Sequence, residues 1–175
     1  MGEELSDLCV FLYSGSTDKR RKLANQYLIE KLGHPDEGSI FEKKLGALKY
    51  IFRVPVVNKL SLNAIKYLHE KGYDALMLCS DRRTIGHTAF QTHEDNSLHV
   101  FSTEIKPEYR GRGLSILLRE KIIAYARQKQ IYKVKLGAGG HPWSRRAYEI
   151  VSARKDELGI VPLGDYWIRV EEKLF

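Results

Sequence analysis

The chain has 175 residues, 43% of them hydrophobic, which is enough for one globular domain with a sizeable core and crowded for two. Its formal net charge of +7 points to an anionic partner, whether nucleic acid, a membrane surface or an anionic small ligand. Two cysteines, Cys9 and Cys79, are too few for a disulfide framework and lack metal spacing, the first residues are acidic where a secretory leader is basic, and no apolar run approaches the roughly 18 residues of a membrane span, so a cytoplasmic protein is expected.

Residues 8–13 form a short apolar run that reads as a strand. Thr17 and Asp18 can cap a helix with Leu23, Ala24, Tyr27, Leu28 and Leu32 on one face, closed by Gly33 and Pro35, while residues 19–22 give it a basic, solvated face. Residues 47–57 look like another strand, with Pro55 marking an edge or bend, and either run can be the first strand of the sheet. Residues 61–71 read as a helix with Leu62, Ile65 and Leu68 inward and Gly72 as its stop. A nearly continuous apolar strand at 73–80, a second strand at 84–92 after Asp81-Arg82, and a third after Glu94-Asp95-Asn96 make an antiparallel meander. Both cysteines lie in apolar runs and read as buried thiols.

The third strand alternates His99, Phe101, Thr103 and Ile105 on one face with Val100, Ser102 and Glu104 on the other, and Pro107 ends it for want of an N–H. In the turn Arg110-Gly111-Arg112-Gly113 two glycines leave nothing at Cβ, so its N–H groups and those of the first helical residues can converge on an anion, which the helix dipole also favours. From Leu114 an amphipathic helix packs Leu117, Leu118, Ile122 and Tyr125, with Arg119, Glu120, Lys121, Arg127 and Gln128 on its remaining surface. No G-x-x-x-x-G-K-S/T string occurs, and Ile116 stands where G-x-G-x-x-G needs its third glycine, so nucleoside triphosphate and dinucleotide loops are both excluded. Residues 106–135 hold nine basic side chains (Lys106, Arg110, Arg112, Arg119, Lys121, Arg127, Lys129, Lys133, Lys135) and two acidic ones (Glu108, Glu120), a net +7 that places the whole excess beside this turn.

The approach Ile105-Lys106-Pro107-Glu108-Tyr109-Arg110 fits V-x-P-E-Y-R, and Arg110-Gly111-Arg112-Gly113-Leu114-Ser115 fits Q/R-x-x-G-x-G/A with Ser115 in the last place. On these residues the chain resembles the GNAT superfamily, the acyl-CoA-dependent N-acetyltransferases. The resemblance implies that the amides of Arg110, Gly111, Arg112, Gly113, Leu114 and Ser115 hold the pyrophosphate of coenzyme A, and that the backbone around Ile105 pairs with the pantetheine arm. Residues 131–136 then read as a strand reached by a parallel crossover, broken by Gly137-Ala138-Gly139-Gly140, where relatives splay two strands to admit the arm. A last helix opens at His141-Pro142, with Trp143, Ala147, Ile150 and Val151 on its packed side. His141, Ser144 and Tyr148 fall at the spacings of the family's N-x-x-A-x-x-x-Y, and Ser152-Ala153 replaces its G-F; only the tyrosine is kept, and the imidazole of His141 can replace one hydrogen bond of the usual asparagine. The chain finishes with an apolar piece at 160–163, a Gly164-Asp165 turn and an alternating strand at 166–175.

Covering roughly residues 48–175, the resemblance implies an α/β (α+β) fold with a central mixed sheet, an antiparallel meander followed by a parallel βαβ crossover, and flanking helices. Residues 1–47 are then an N-terminal extension or the first strand and helix of the same domain. The implied activity is direct transfer of an acetyl group from acetyl-CoA, a cosubstrate used without metal, to an amine on a small molecule or a protein. Tyr148 matches the tyrosine that protonates the departing thiolate in many relatives. His99 and Glu104 are the leading candidates for the base, His99 through its parity with Ile105 and its pKa of about 6.5, with His87 and Tyr166 behind them. Two other classes stand beside this one: an acyl-CoA-binding regulatory module without turnover, and a basic nucleic-acid-binding protein, for which no stacking platform or recognition helix is evident. No membrane partner is expected, and a homodimer is compatible with the chain.

Overall fold

The structure, a computed structural model, describes residues 8–12, 73–81, 83–137 and 142–172. The helix expected after Thr17, the strand at 47–57, the helix at 61–71, Arg82, residues 138–140 and His141 lie outside the described residues. The chain divides into two compact units, Met1–His87 and Thr88–Phe175.

In the first unit β1 (Cys9–Leu12) pairs antiparallel with β2 (Tyr73–Ser80), in a register running from Cys9 opposite Cys79 to Leu12 opposite Leu76. Residues 75–80 of β2 are all buried, as expected of a strand covered on both faces. Asp81, with φ 47°, turns the chain into β3 (Arg83–Thr92). Cys79 is buried, its Sγ 3.6 Å from the Thr84 hydroxyl, but Cys9 is exposed. The expectation of two buried thiols therefore holds for Cys79 alone, because Cys9 opens a strand at the end of the sheet.

The second unit begins within β3 and continues through β4 (Ser97–Ile105), a 3-10 turn (Pro107–Tyr109), α1 (Leu114–Gln128), β5 (Lys133–Lys135), α2 (Pro142–Ala153), α3 (Lys155–Leu158), β6 (Ile160–Gly164) and β7 (Trp167–Val170). The seven strands are ordered β1-β2-β3-β4-β5-β7-β6; β4 and β5 are parallel, and β7 lies antiparallel between β5 and β6. The expected mixed sheet with a helical crossover between parallel neighbours is thus present. Connections of two and four residues join β2 to β3 and β3 to β4, lengths that only antiparallel neighbours permit.

Registers align three rows across β4, β5 and β7: Ser97, Lys133 and Arg169; Leu98, Val134 and Ile168; His99, Lys135 and Trp167. The middle row is sealed in the core. Over it α1 lays Leu114, Leu118, Ile122, Ile123 and Ala126, and packs against β4 and β7, with Tyr125 against the ring of Phe90 at 5.1 Å. Leu118 and Ile122 are fully buried, so truncating either to alanine should cost about 2–5 kcal/mol. The outer rows face away from the helices, with Lys133 and Arg169 exposed.

Two expectations for the C-terminal half need correction. In α2 only Ala147 and Val151 are buried; Trp143 is 75% exposed and Ile150 39%. The stripe is one residue wide, since Ile150 lies about 100° round the helix from Val151. The final strand starts at Trp167 because Asp165 (φ 47°) and Tyr166 (φ 67°) both take left-handed conformations, the geometry of a two-residue hairpin loop. Among the described residues no helix is long and apolar enough to cross a membrane, and no group of three or more His, Cys, Asp or Glu side chains could hold a metal ion.

Candidate active site

Pro107 can donate no N–H to a ladder, and the backbone coils after it: the Tyr109 and Arg110 amides donate to the carbonyls of Lys106 and Pro107 at 2.9 and 3.2 Å. Arg110 turns back, its Nε donating to the Ile105 carbonyl at 2.9 Å, so the guanidinium fastens the end of β4 to the turn. Gly111 and Gly113 have φ of 76° and 74°, and a Cβ built on either would meet nothing within 4 Å. Backbone conformation rather than crowding therefore demands glycine here, and the space beside the turn is open. Gly113 is the N-cap of α1 and offers no side-chain cap; Ile116 and Leu117 both donate to its carbonyl at 3.0 Å. Among the described residues, the amides of Gly111, Gly113, Leu114 and Ser115 donate to no protein acceptor. Unspent N–H groups at the positive end of a 15-residue helix suit an anion such as a diphosphate.

Beside this turn the sheet opens. Only Ser97, Leu98 and His99 of β4 pair with β5, which ends at Lys135, whereas β4 runs on to Ile105. The next amide, of Leu136, donates to the Tyr166 carbonyl at 2.9 Å, so the chain leaves β4 for the β6–β7 hairpin. Gly137 follows at a close approach: a Cβ there would come within 3.2 Å of the Ser144 Cβ at the start of α2. Among the described residues, residues 100–105 thus have no strand on their β5 side, an open edge of roughly 20 Å against which an extended, amide-bearing arm can pair.

His99 stands where the two strands part. Asp95 Oδ1 accepts from the Ser97 amide at 3.1 Å and from the Ser97 hydroxyl at 2.6 Å, and the Ser97 Oγ lies 3.2 Å from His99 Nε2. The hydroxyl proton is committed to the carboxylate, so the oxygen accepts from the ring; Nε2 carries the proton and Nδ1 keeps its lone pair. The His99 ring packs on His93 at 4.0 Å and meets Trp167 edge-on at 4.9 Å. Burial pushes the His99 pKa below 6.5, the charges of His93, Lys135 and Lys133 push the same way, and Asp95 opposes them. The Ser97 hydrogen bonds hold the Asp95 carboxyl below its usual range. A neutral imidazole with a free Nδ1 at pH 7 can accept a proton. Burial does not alternate along the later part of β4: residues 101–104 are all half-buried, and the Thr103 hydroxyl lies 2.9 Å from that of Thr88. β4 nevertheless runs unbroken from Ser97 to Ile105, and Glu104 lies half-buried near its end.

Tyr148 approaches from α2. Its hydroxyl donates to the Trp167 carbonyl at 3.1 Å and accepts from the Gly164 amide at 3.1 Å, and its ring meets that of Tyr166 at 5.7 Å. Trp167 therefore joins the two sequence candidates, touching the His99 ring with its indole and the Tyr148 hydroxyl with its carbonyl. Nothing in the strand pattern alone marks Trp167. Ser97 carries a signal, since it precedes His99 at the two-residue spacing of one strand face, and Asp95 stands in the turn two residues before it.

The basic excess does not gather at the turn. Lys133 and Lys135 place Nζ 4.7 and 5.5 Å from the centre of the Trp167 ring, and Arg127 donates to the carbonyls of Leu158, Gly159 and Glu171, fastening the end of α1 to the hairpin side. Lys106, Arg110 and Arg112 remain beside the turn, Arg112 lying 5.8 Å from the Tyr109 ring centre. Arg119, expected on the helix surface, is 5% exposed. One of its amino groups donates to the Ser115 carbonyl at 3.0 Å, its Nε is buried without a partner, and desolvation lowers its pKa to about 10.

A family model described as the Acetyltransferase (GNAT) family matches residues 50–150. No curated protein sequence matches the chain. Among solved structures, an acetyltransferase from Trypanosoma brucei is similar at 21% identity over 83% of this chain and 91% of that one, with a TM-score of 0.52. An N-acetyltransferase from Staphylococcus aureus Mu50 is similar at 11% identity, 94% of each chain and a TM-score of 0.55. A ribosomal-protein-alanine N-acetyltransferase from Brucella melitensis biovar Abortus 2308 is similar at 16% identity, 83% of this chain, 90% of that one and a TM-score of 0.53. These three share the fold.

Proposed function

Because the chain belongs to the GNAT acetyltransferase family, we propose that it moves an acetyl group from acetyl-CoA directly to an amine. The observation that carries this reading is the pairing of two features: uncapped amides at the start of α1 and, next to them, a β4 edge that β5 has left. The first suits a diphosphate and the second a pantetheine-like arm, so the amides of Gly111, Gly113, Leu114 and Ser115 and the backbone up to Ile105 are the binding residues, while the Arg110 amide is spent on the Pro107 carbonyl. Direct transfer needs a neutral amine, a proton acceptor and a proton for the departing sulfur. Holding amine and thioester together is worth up to ~7–11 kcal/mol of the barrier. His99 Nδ1 is the acceptor in this reading, oriented by Ser97 and Asp95. Tyr148 supplies the proton, exchanging the Trp167 carbonyl for the sulfur, while the Gly164 amide steadies the phenolate that results. Dispersal of the charge away from the turn speaks against a nucleic-acid stripe.

Coenzyme A at 100 times its Kd should stabilise the native protein by about 2.7 kcal/mol, a rise in Tm of roughly 5–10 °C. Gly113→Asp, which forces a side chain into a left-handed position and puts negative charge where phosphate belongs, should abolish that rise. A rise that persists in the variant would move the site elsewhere. Mass detection of acetyl products across amines tests turnover; a full coenzyme A response with no acetylated amine would favour the acyl-CoA-binding module.

A further inference from the structure

The sheet face turned away from α1 and α2 carries three cations, Lys133, Lys135 and Arg169, to which the chemistry above gives no ligand. Lys133 and Arg169 are direct cross-strand neighbours, and Lys135 and Trp167 are the next such pair on the same face. Trp167 lies under both ammonium groups, which limits their freedom through cation–π contact. Among the described residues none of Lys133, Lys135 and Arg169 makes an ion pair. In the turn before β4 the Asp95 carboxylate, which accepts two hydrogen bonds from Ser97, attracts Lys133 and offsets one of the three charges, leaving the patch with a positive excess. Three like charges on one small patch repel one another, and a bound anion relieves that repulsion.

The patch also lies where an acceptor has to enter. Among the described residues, helices cover the opposite face, the cofactor arm would lie along the β4 edge, and Lys133 and Arg169 are exposed on this face, so an amine reaches His99 from this side. Two residues along a strand separate the His99–Lys135–Trp167 row from the Ser97–Lys133–Arg169 row, about 7 Å. An anion held by Lys133 and Arg169 therefore sits roughly 7–10 Å from an amine at His99. In an extended peptide with ~3.3 Å per residue, that is a side chain at the second or third position from a free amino terminus. Building on the acetyl-transfer reading, we propose that the Lys133, Lys135, Arg169 and Trp167 patch selects acceptors with an acidic group at this distance, an acidic peptide amino terminus, and turns away polycationic amines such as polyamines and lysine-rich tails.

The test uses peptides of one length with a free amino terminus and Asp, Asn or Lys at positions two and three. Wild-type kcat/KM should fall in that order, by about tenfold or more from Asp to Lys, with the gap narrowing as salt is raised. Lys133→Glu combined with Arg169→Glu should reverse the order. Equal kcat/KM across the series, or an unchanged order in the double variant, would overturn the inference. So would loss of the coenzyme A Tm shift in that variant, which would assign the patch to cofactor phosphates. Binding is read independently of turnover in Trp143→Phe protein, where Trp167 is the remaining tryptophan. Its fluorescence in the presence of coenzyme A should respond to the Asp peptide and not to the Lys peptide. That preference without acetylation upholds the patch and sinks the transfer reading; acetylation without any preference does the reverse.

Discussion

Tyr148→Phe removes one oxygen and separates two jobs that the hydroxyl holds at once. Structurally it bridges the Trp167 carbonyl and the Gly164 amide, both at 3.1 Å, and each neutral bond contributes about 0.5–1.5 kcal/mol net. Gly164 is exposed, so water can replace the oxygen there, whereas Trp167 is half-buried and loses more. The expected loss is about 1–2 kcal/mol, or a fall in Tm of roughly 2–8 °C for a chain of this size. A leaving-group acid adds a kinetic effect that stability cannot mimic, a fall in kcat of ~10²–10⁴ at temperatures well below the lowered Tm. The assay compares acetyl-CoA with an acetyl thioester of a more acidic thiol, whose sulfur leaves without help. If Tyr148 is the acid, the variant loses far more activity with acetyl-CoA than with the activated thioester. A kcat within twofold of wild type, or an equal loss on both donors, would leave Tyr148 as a brace of the β6–β7 hairpin and nothing more.

His99, with its pKa held below 6.5, should give kcat/KM an acidic limb centred below pH 6.5, with full activity above it, and His99→Gln should remove that limb; a limb that persists moves the base to another group. Ser97→Ala should leave the limb but release the ring from its single tautomer, seen as a mixture in ¹⁵N shifts of the imidazole, and Ser97→Thr should restore it; an unchanged tautomer refutes the Asp95–Ser97 positioning role. Arg119→Met should raise Tm, because a buried cation with one hydrogen bond and an unpaired Nε gives way to a packed apolar chain; the gain expected is about 1–3 kcal/mol, and a fall in Tm would refute it.

What could be read from the chain and what could not follow from the range over which each feature is decided. The strands β2 to β4 and helix α1 are written locally, in apolar runs, turn residues and the Gly111 and Gly113 pair, and their limits fall within about two residues of those expected. Strand order beyond β5 is not local. Whether Ile160–Gly164 or Trp167–Val170 lies beside β5 depends on contacts thirty residues apart, and that choice alone brings Trp167 to His99, Lys133 and Lys135. Arg119 reads as surface because arginine so rarely enters a core without a partner, yet its position next to Leu118 and one turn before Ile123 puts it on the buried side. Asp95 reads from the chain only as a turn residue, and its hydrogen bonds to Ser97, and through it the orientation of His99, needed coordinates.

The parting of β4 and β5 also bears on how the protein avoids sticking to itself. Unpaired strand backbone is a template for another chain, and among the described residues the outer margins of this sheet are poor ones: β1 has four residues, and β6 has five with Pro162 and a bulge before Gly164. The longer stretch of unpaired backbone lies in the middle of the sheet. A strand inserted there would need two inter-strand spacings, close to ~10 Å, along its whole length. Beside the three pairs that β4 and β5 share, the gap is narrower than that, and a thin arm fits such a place better than a polypeptide with side chains. The sheet can keep hydrogen-bonding groups open for a ligand without inviting polymerisation.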